Sequence, residues 1–435
     1  MKINLARLNR PLQKAVRSCR RAADSRHISA FLVGGLVRDL ILRRPNDDLD
    51  FVLEGDVPAV ARQMARDLGG RATVYPQFLT ATVSWPGGVT LDLATTRQEH
   101  YPQPGVLPDV AGGDLHDDLY RRDFTINAMA VSLSRSGTGE LVDYYNGRVD
   151  LREKKIRVLH EDSFHDDPTR IFRAVRFEQR FGFSLGTKTA RALNRALKEK
   201  ALGWISPDRY FQELKKILRE RHPVRALRRL SRLGVLQQYD LDLGADFRRL
   251  QRLEDRVHKL RENPLFRDSD LAWIYFMALT ETKKRKAIED LAQTFPLTRR
   301  QKKSLVHMRL AGKTVEHLSR KELSPSKVYG LLRDLPLDVI AYWRARYPSL
   351  RLAQRIDRYY QRDRLVCLQV NGRDLKKMKD MDGRTIGRIL DELILRKIDE
   401  NLCSRQEEWA AVRQIVHRQP TSLRREGAQG VKREA

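Results

Sequence analysis

The chain has 435 residues, and its 84 lysines and arginines against 56 aspartates and glutamates leave a formal charge of +28. So large an excess suits a polyanionic partner, because each neutralised phosphate releases counterions, and it argues against a purely small-metabolite role. Cys19, Cys367 and Cys403 are too few and too scattered for a disulfide framework or a zinc site, and no apolar run approaches the roughly 18 residues of a membrane span. The N-terminus is basic but lacks the apolar core of a secretory signal, so a cytoplasmic location is expected.

In chain order, residues 1–28 read as a basic helix, with Leu5, Leu8, Leu12 and Val16 at helical spacing and Asp24 as the sole acid. Its apolar stripe is expected to pack on the next domain, the other reading being a basic face turned to RNA. A buried strand over Phe31–Val33 then stops at Gly34-Gly35, and Leu36, Val37, Leu40 and Ile41 continue as a helix. Strand, glycine pair, helix is an order that aims free backbone N–H groups at an anion, with Arg38 as a fixed cation one turn on. Asp48 and Asp50, two residues apart on the following strand, should project from one face and hold Mg²⁺, which favours carboxylate oxygens together with substrate phosphates. Each motif alone is weak; together they predict a site for a metal–nucleoside triphosphate.

A helix is predicted over Val57–Leu68 and strands over Ala72–Tyr75, Leu79–Trp85 and Val89–Ala94. Asp92, between Leu91 and Leu93, is either a third site carboxylate, sharing metal or taking a proton, or a solvated edge residue. Arg97–Leu119, punctuated by Pro102, Pro104, Gly105, Pro108, Gly112 and Gly113, reads as a long functional loop. Arg121-Arg122 should hold triphosphate oxygens in fork geometry ahead of an apolar helical stretch, with Asp123 orienting them or capping that helix.

Gly34-Gly-Leu-Val-Arg-Asp39, Asp48-Leu-Asp50 and Arg121-Arg-Asp-Phe-Thr-Ile-Asn-Ala128, in this order, resemble the class II tRNA nucleotidyltransferases, the family of CCA-adding, A-adding and CC-adding enzymes and bacterial poly(A) polymerases. Asp166-Asp167-Pro-Thr-Arg170 extends the likeness, matching the family's base-reading motif with Asp167 and Arg170. The chemistry is sensible by itself. Cytosine and adenine both offer an exocyclic amine beside a ring-nitrogen acceptor, so a carboxylate with an arginine admits CTP and ATP and refuses the carbonyl-bearing bases. Asp167 before Pro168 is equally a helix cap, which would occupy its carboxylate; both readings stand. Arg173 and Arg176 follow on one helix face and could reach the triphosphate.

The resemblance implies an α+β, mostly helical fold. It comprises a nucleotidyltransferase head with a small mixed sheet over 29–150, a neck over 151–238, a body over 239–345 and a tRNA-binding tail over 346–418, before a disordered basic end at 419–435. It implies Mg²⁺ on Asp48 and Asp50, nucleotide contacts from Gly34, Gly35, Arg38, Arg122, Asp167, Arg170, Arg173 and Arg176, and the tRNA 3′ end with ATP and CTP as partners. Complete CCA addition and addition of the terminal A both fit. Phe78-Leu-Thr-Ala-Thr-Val83 stands where poly(A) polymerases carry an arginine-rich strand, which argues against that relative. A non-catalytic RNA-binding protein is the reading from another class. Val370–Lys376 and Gly383–Gly387 precede a predicted helix through Leu395, and the glycine-bounded turn that opens it is a further candidate phosphate contact.

Overall fold

The computed structural model describes residues 1–46, 48–87, 89–135, 137–241, 246–378 and 381–417; the stretch 419–435 lies outside them. The fold is α+β and mostly helical, in two compact units, Met1–Asp240 and Leu241–Ala435.

The first unit is built on a seven-stranded sheet. In chain order, α1 (Arg10–Asp24) precedes β1 (Ser29–Val33), α2 (Gly35–Ile41), β2 (Asp50–Glu54), α3 (Val57–Leu68), β3 (Arg71–Tyr75), β4 (Thr80–Trp85) and β5 (Val89–Thr95). After these come β6 (Arg97–His100), β7 (Asp109–Gly112), α4 (Leu115–Tyr120), β8 (Ala130–Ser132) and β9 (Leu141–Val142). The sheet order is β3-β4-β5-β2-β1-β8-β9, and β2–β5 is its parallel pair. Alternation decides the two faces. Val33 and Val52 pack with Leu115, Leu119, Ala128 and Ala130, while α3 packs on β4 and also receives α1. Leu12, Ala15, Val16, Cys19 and Ala22 of α1 are buried there, leaving Lys14, Arg17 and Arg21 exposed. The basic helix therefore packs on the first domain.

Two sequence expectations change. The stretch 97–119 is not a loop: 97–112 is a hairpin, β6 against β7, and α4 follows from Leu115. The hairpin strands pair only with each other and bury little, so no apolar alternation marked them. The apolar run after Arg122 is a single 3₁₀ turn (Thr125–Asn127) leading into β8, not a helix, and no side chain caps it; Asp123 Oδ1 accepts the N–H of its neighbour Phe124 at 2.8 Å.

Helices then take over: α5 (Gly147–Glu153), α6 (Ser163–Asp166), α7 (Thr169–Phe181), α8 (Thr187–Lys198), α9 (Pro207–Leu218) and α10 (Pro223–Arg232). Phe172 and Val175 of α7, with Tyr210, Phe211 and Leu214 of α9, are fully buried and hold these two helices together. In the second unit every described element is helical. Its helix Leu271–Thr280 is apolar all round and buried, as a core helix must be, against Leu337–Arg346. The helices opening at Gly372 and Gly383 are capped by Asn371 and Asp382, whose side chains take the first free N–H groups. Those N–H groups have intramolecular partners before any phosphate arrives. No helix among the described residues is long and apolar enough to cross a membrane.

Candidate active site

A cavity of about 760 Å³ opens between the sheet and α7. Gly34, Gly35, Arg38, Asp48, Asp50, Arg122, Asp167, Arg170, Arg173 and Arg176 all line it. Gly34 has φ +73°, a conformation that favours glycine, and a Cβ there would crowd Nη1 of Arg122 at 3.1 Å.

Strand β2 begins at Asp50, so Asp48 lies before the strand rather than on it. The Asn46 side chain accepts the Asp48 N–H at 2.8 Å, a local turn that competes with pairing. The two carboxylates nevertheless face the same cavity. Burial pushes Asp50 up to about 6, helped by Asp48, opposed by Arg122, and helped again by Asp92. Hard oxygen donors that repel one another fit a divalent cation, which relieves the repulsion on binding. Asp92 sits one rung across from Asp50 in the parallel pair. It is exposed, its Oδ1 accepts the Thr82 hydroxyl at 2.6 Å, and it does not line the cavity.

The arginines are held more tightly than the sequence suggested. Arg38 is buried, donates from Nε and Nη2 to Asp39 at 2.9 and 2.8 Å and from Nη1 to Asn127, and lies 4.7 Å from the Phe181 ring centroid. It braces α2 against the 3₁₀ turn and α7 instead of standing as a free cation. Asp118, fully buried, rather than Asp123, orients Arg121 and Arg122, one carboxylate oxygen to each guanidinium. Asp123 instead accepts from Arg173 Nε at 2.7 Å and Asn127 Nδ2 at 2.8 Å. Burial opposes its charge, but Arg173, Asn127 and Arg170 hold its carboxyl below the usual range. Arg176 makes no hydrogen bond or ion pair among the described residues, and its buried Nε has no partner. Burial, then Arg173, lowers its proton affinity. It is a desolvated cation suited to an anion.

Asp167 precedes α7 instead of capping it, since Pro168 holds the N-cap position. Its Oδ1 accepts from Thr169 N–H at 3.0 Å and Thr169 Oγ1 at 2.7 Å in a local turn, while Oδ2 takes neither bond. Arg170 donates to Ser163 and, at 2.8 Å, to the Arg121 carbonyl oxygen, which fixes its plane beside the cavity. Sequence reasoning missed Glu99 and Tyr101 of the hairpin, which also line the site. Glu99 accepts from Arg121 at 2.9 Å and from the Tyr101 hydroxyl at 3.1 Å. Their spacing carried no signal once the segment was read as a loop.

The profile of the Poly A polymerase head domain matches residues 30–157, and that of the probable RNA and SrmB-binding site of polymerase A matches 182–239. The A-adding tRNA nucleotidyltransferase of Geobacter sulfurreducens is 35% identical over 410 residues, covering 92% of this chain and 47% of its own. The chain spans about half the length of the first curated relatives it matches. Among solved structures, the Thermotoga maritima CCA-adding enzyme complexed with tRNA is similar at TM-score 0.69 and 28% identity, covering 96% of this chain and 99% of that one. A tRNA nucleotidyltransferase complexed with a primer tRNA and an incoming ATP analogue is similar at TM-score 0.66 and 30% identity, covering 79% and 97%.

Proposed function

The chain belongs to the family of class II tRNA nucleotidyltransferases and bacterial poly(A) polymerases, and from that premise we propose that it adds 3′-terminal nucleotides to tRNA from ATP and CTP, releasing pyrophosphate, in the cytoplasm. The observation that carries this reading is one cavity lined both by Asp48 and Asp50 and by Asp167 and Arg170. Chemistry and base choice then share one chamber.

In this reading Asp48 and Asp50 hold Mg²⁺, which would supply Lewis-acid polarisation of the α-phosphate and stabilise the attacking and leaving oxygens. Asp92, across the rung from Asp50 and outside the cavity lining, adds negative charge beside the pair. Arg122, kept in place by Asp118, and Arg176, short of a partner, bind the triphosphate. Gly34 and Gly35 let phosphate approach the backbone closely. Arg38 and Arg173, each already on a carboxylate, keep α2 and α7 in position around it. Asp167 Oδ2 accepts the exocyclic amine of adenine or cytosine, and Arg170 donates toward the ring nitrogen. Residues 29–150 serve as head, 151–238 as neck, 239–345 as body and 346–418 as the tRNA-binding tail.

Addition of the terminal A alone is the second reading, favoured by the A-adding relative that matches 92% of the chain. Incubation with tRNA lacking CCA, or ending in C or CC, with labelled CTP and ATP supplied separately, tests both. Incorporation of ATP restricted to the CC-ending substrate is the expected pattern for A addition, and sequential CTP then ATP incorporation for the full reaction. No incorporation on any of the three with Mg²⁺ present defeats the assignment.

A further inference from the structure

We propose that Arg209 is a positioning residue that sets base selectivity by fixing which oxygen of Asp167 meets the incoming nucleotide. The inference rests on the base-reading role of Asp167 given above. Arg209 lies in the first turn of α9, where its own N–H is taken by the Ser206 cap at 3.3 Å. Its side chain is a fork between two other segments. Nη2 donates to Asp167 Oδ1 at 2.8 Å, and Nη1 donates to the carbonyl oxygen of Gly105 in the turn of the β6–β7 hairpin.

Gly105 is itself pinned. Its N–H reaches the carbonyl oxygen of His165 at 3.0 Å and that of Asp166 at 3.3 Å. Its φ is +75°, and a Cβ would fall 2.6 Å from Cβ of Trp204, so the turn can seat here only as glycine. Hairpin, the end of α6 and the start of α9 therefore converge on a single guanidinium. Arg209 does not line the cavity. It acts through Asp167.

With Thr169 N–H, Thr169 Oγ1 and Arg209 Nη2 all directed at Oδ1, that oxygen has no lone-pair direction to spare. Only Oδ2 is left for a base. One acceptor matches the amine of adenine or cytosine. Guanine instead offers two adjacent donors, its ring N–H and its amine, which a carboxylate with both oxygens free would accept side by side. Blocking Oδ1 therefore does more than hold the side chain: it denies guanine its better geometry. Thr169 alone is a neighbour on the same short turn, and cannot anchor the carboxylate to the rest of the fold as the forked arginine does.

The test is equilibrium binding of ATP and of GTP to the full chain, without RNA, in the wild type, Arg209→Met and Arg209→Lys. The ATP-over-GTP preference is expected to fall at least about fivefold in Arg209→Met. Arg209→Lys should recover part of it, because an ammonium is a point charge that serves one of the two acceptors but not both. A preference in Arg209→Met within about twofold of wild type overturns the inference even if its thermal stability falls, since that pattern marks a merely structural residue. Should the Met variant not fold, an unchanged preference in Arg209→Lys overturns it instead. A wild type that binds ATP and GTP equally sinks the base-reading role of Asp167 and this inference with it. A discriminating wild type matched by its Arg209 variants sinks the inference alone.

Discussion

Asp50→Asn is expected to abolish nucleotide addition and, in the same variant, to make the metal-free protein more stable. Loss of a charge from the metal-binding pair should lower the transfer rate on the order of 10³-fold, the scale of removing an electrostatic partner of a transition state. The stability effect has the opposite sign. Burial, with Asp48, pushes the Asp50 carboxyl up to about 6, so the folded chain holds that proton more tightly than the unfolded chain, where an aspartate titrates near ~3.9. The stabilising contribution is present at low pH and is lost as pH rises through about 6, where ionisation costs about 3 kcal/mol. Asparagine removes that cost. Urea unfolding at pH 8 with chelator should place the variant above the wild type, and the difference should vanish below about pH 4. A variant no more stable at pH 8, or one that still extends tRNA at the wild-type rate, would show that Asp50 is an ordinary surface acid.

Asp118→Asn should cost about 3 kcal/mol of unfolding free energy at pH 7, within the range for breaking a buried ion pair by removing one partner. Asp118 is fully buried and holds both Arg121 and Arg122. An amide leaves one acceptor oxygen for two guanidinium groups. Burial works against the native charge, but Arg122 and then Arg121 overcome it and keep the carboxyl below the usual range. A depressed folded value means that this stabilisation is present above the unfolded pKa and lost as pH falls through the folded one. The deficit of the variant should therefore be full at pH 7 and shrink below about pH 4. Because Arg122 lines the cavity, the Michaelis constant for ATP should rise as well. Equal chemical-denaturation midpoints at pH 7 would contradict the assignment of Asp118 as the common anchor.

Local pattern made much of this legible in the sequence. The apolar run ending at Gly34-Gly35 marked β1 and α2, the periodicity of Val57–Leu68 marked α3, and alternation marked β3, β4 and β5. Residues chosen for the nucleotide from such motifs lie around one cavity, except Asp92, whose place in an apolar strand suggested burial but whose side chain is exposed. What stayed hidden were pairings between distant segments. Asp118 fell within the stretch read as a loop, yet it is buried under two arginines. Asp123 meets Arg173 from fifty positions away, and Arg209 meets Asp167 from forty-two. Glu99 and Tyr101 were lost among prolines and glycines that, in three dimensions, shape a hairpin. Motifs carry the chemistry of groups, whereas their charge partners follow from folding.

Inside the cavity, Arg38, Arg121, Arg122, Arg173 and Arg180 each already sit against a carboxylate. Most of the +28 must therefore be spent elsewhere, on outer faces such as Lys14, Arg17 and Arg21 or Arg225 and Arg232. Enclosed pairs are shielded from mobile ions, whereas exposed cations are screened beyond ~8 Å at physiological ionic strength. Potassium chloride should consequently act unequally on the two substrates: grip on the long polyanion fades steeply with added salt, while affinity for the mononucleotide hardly moves.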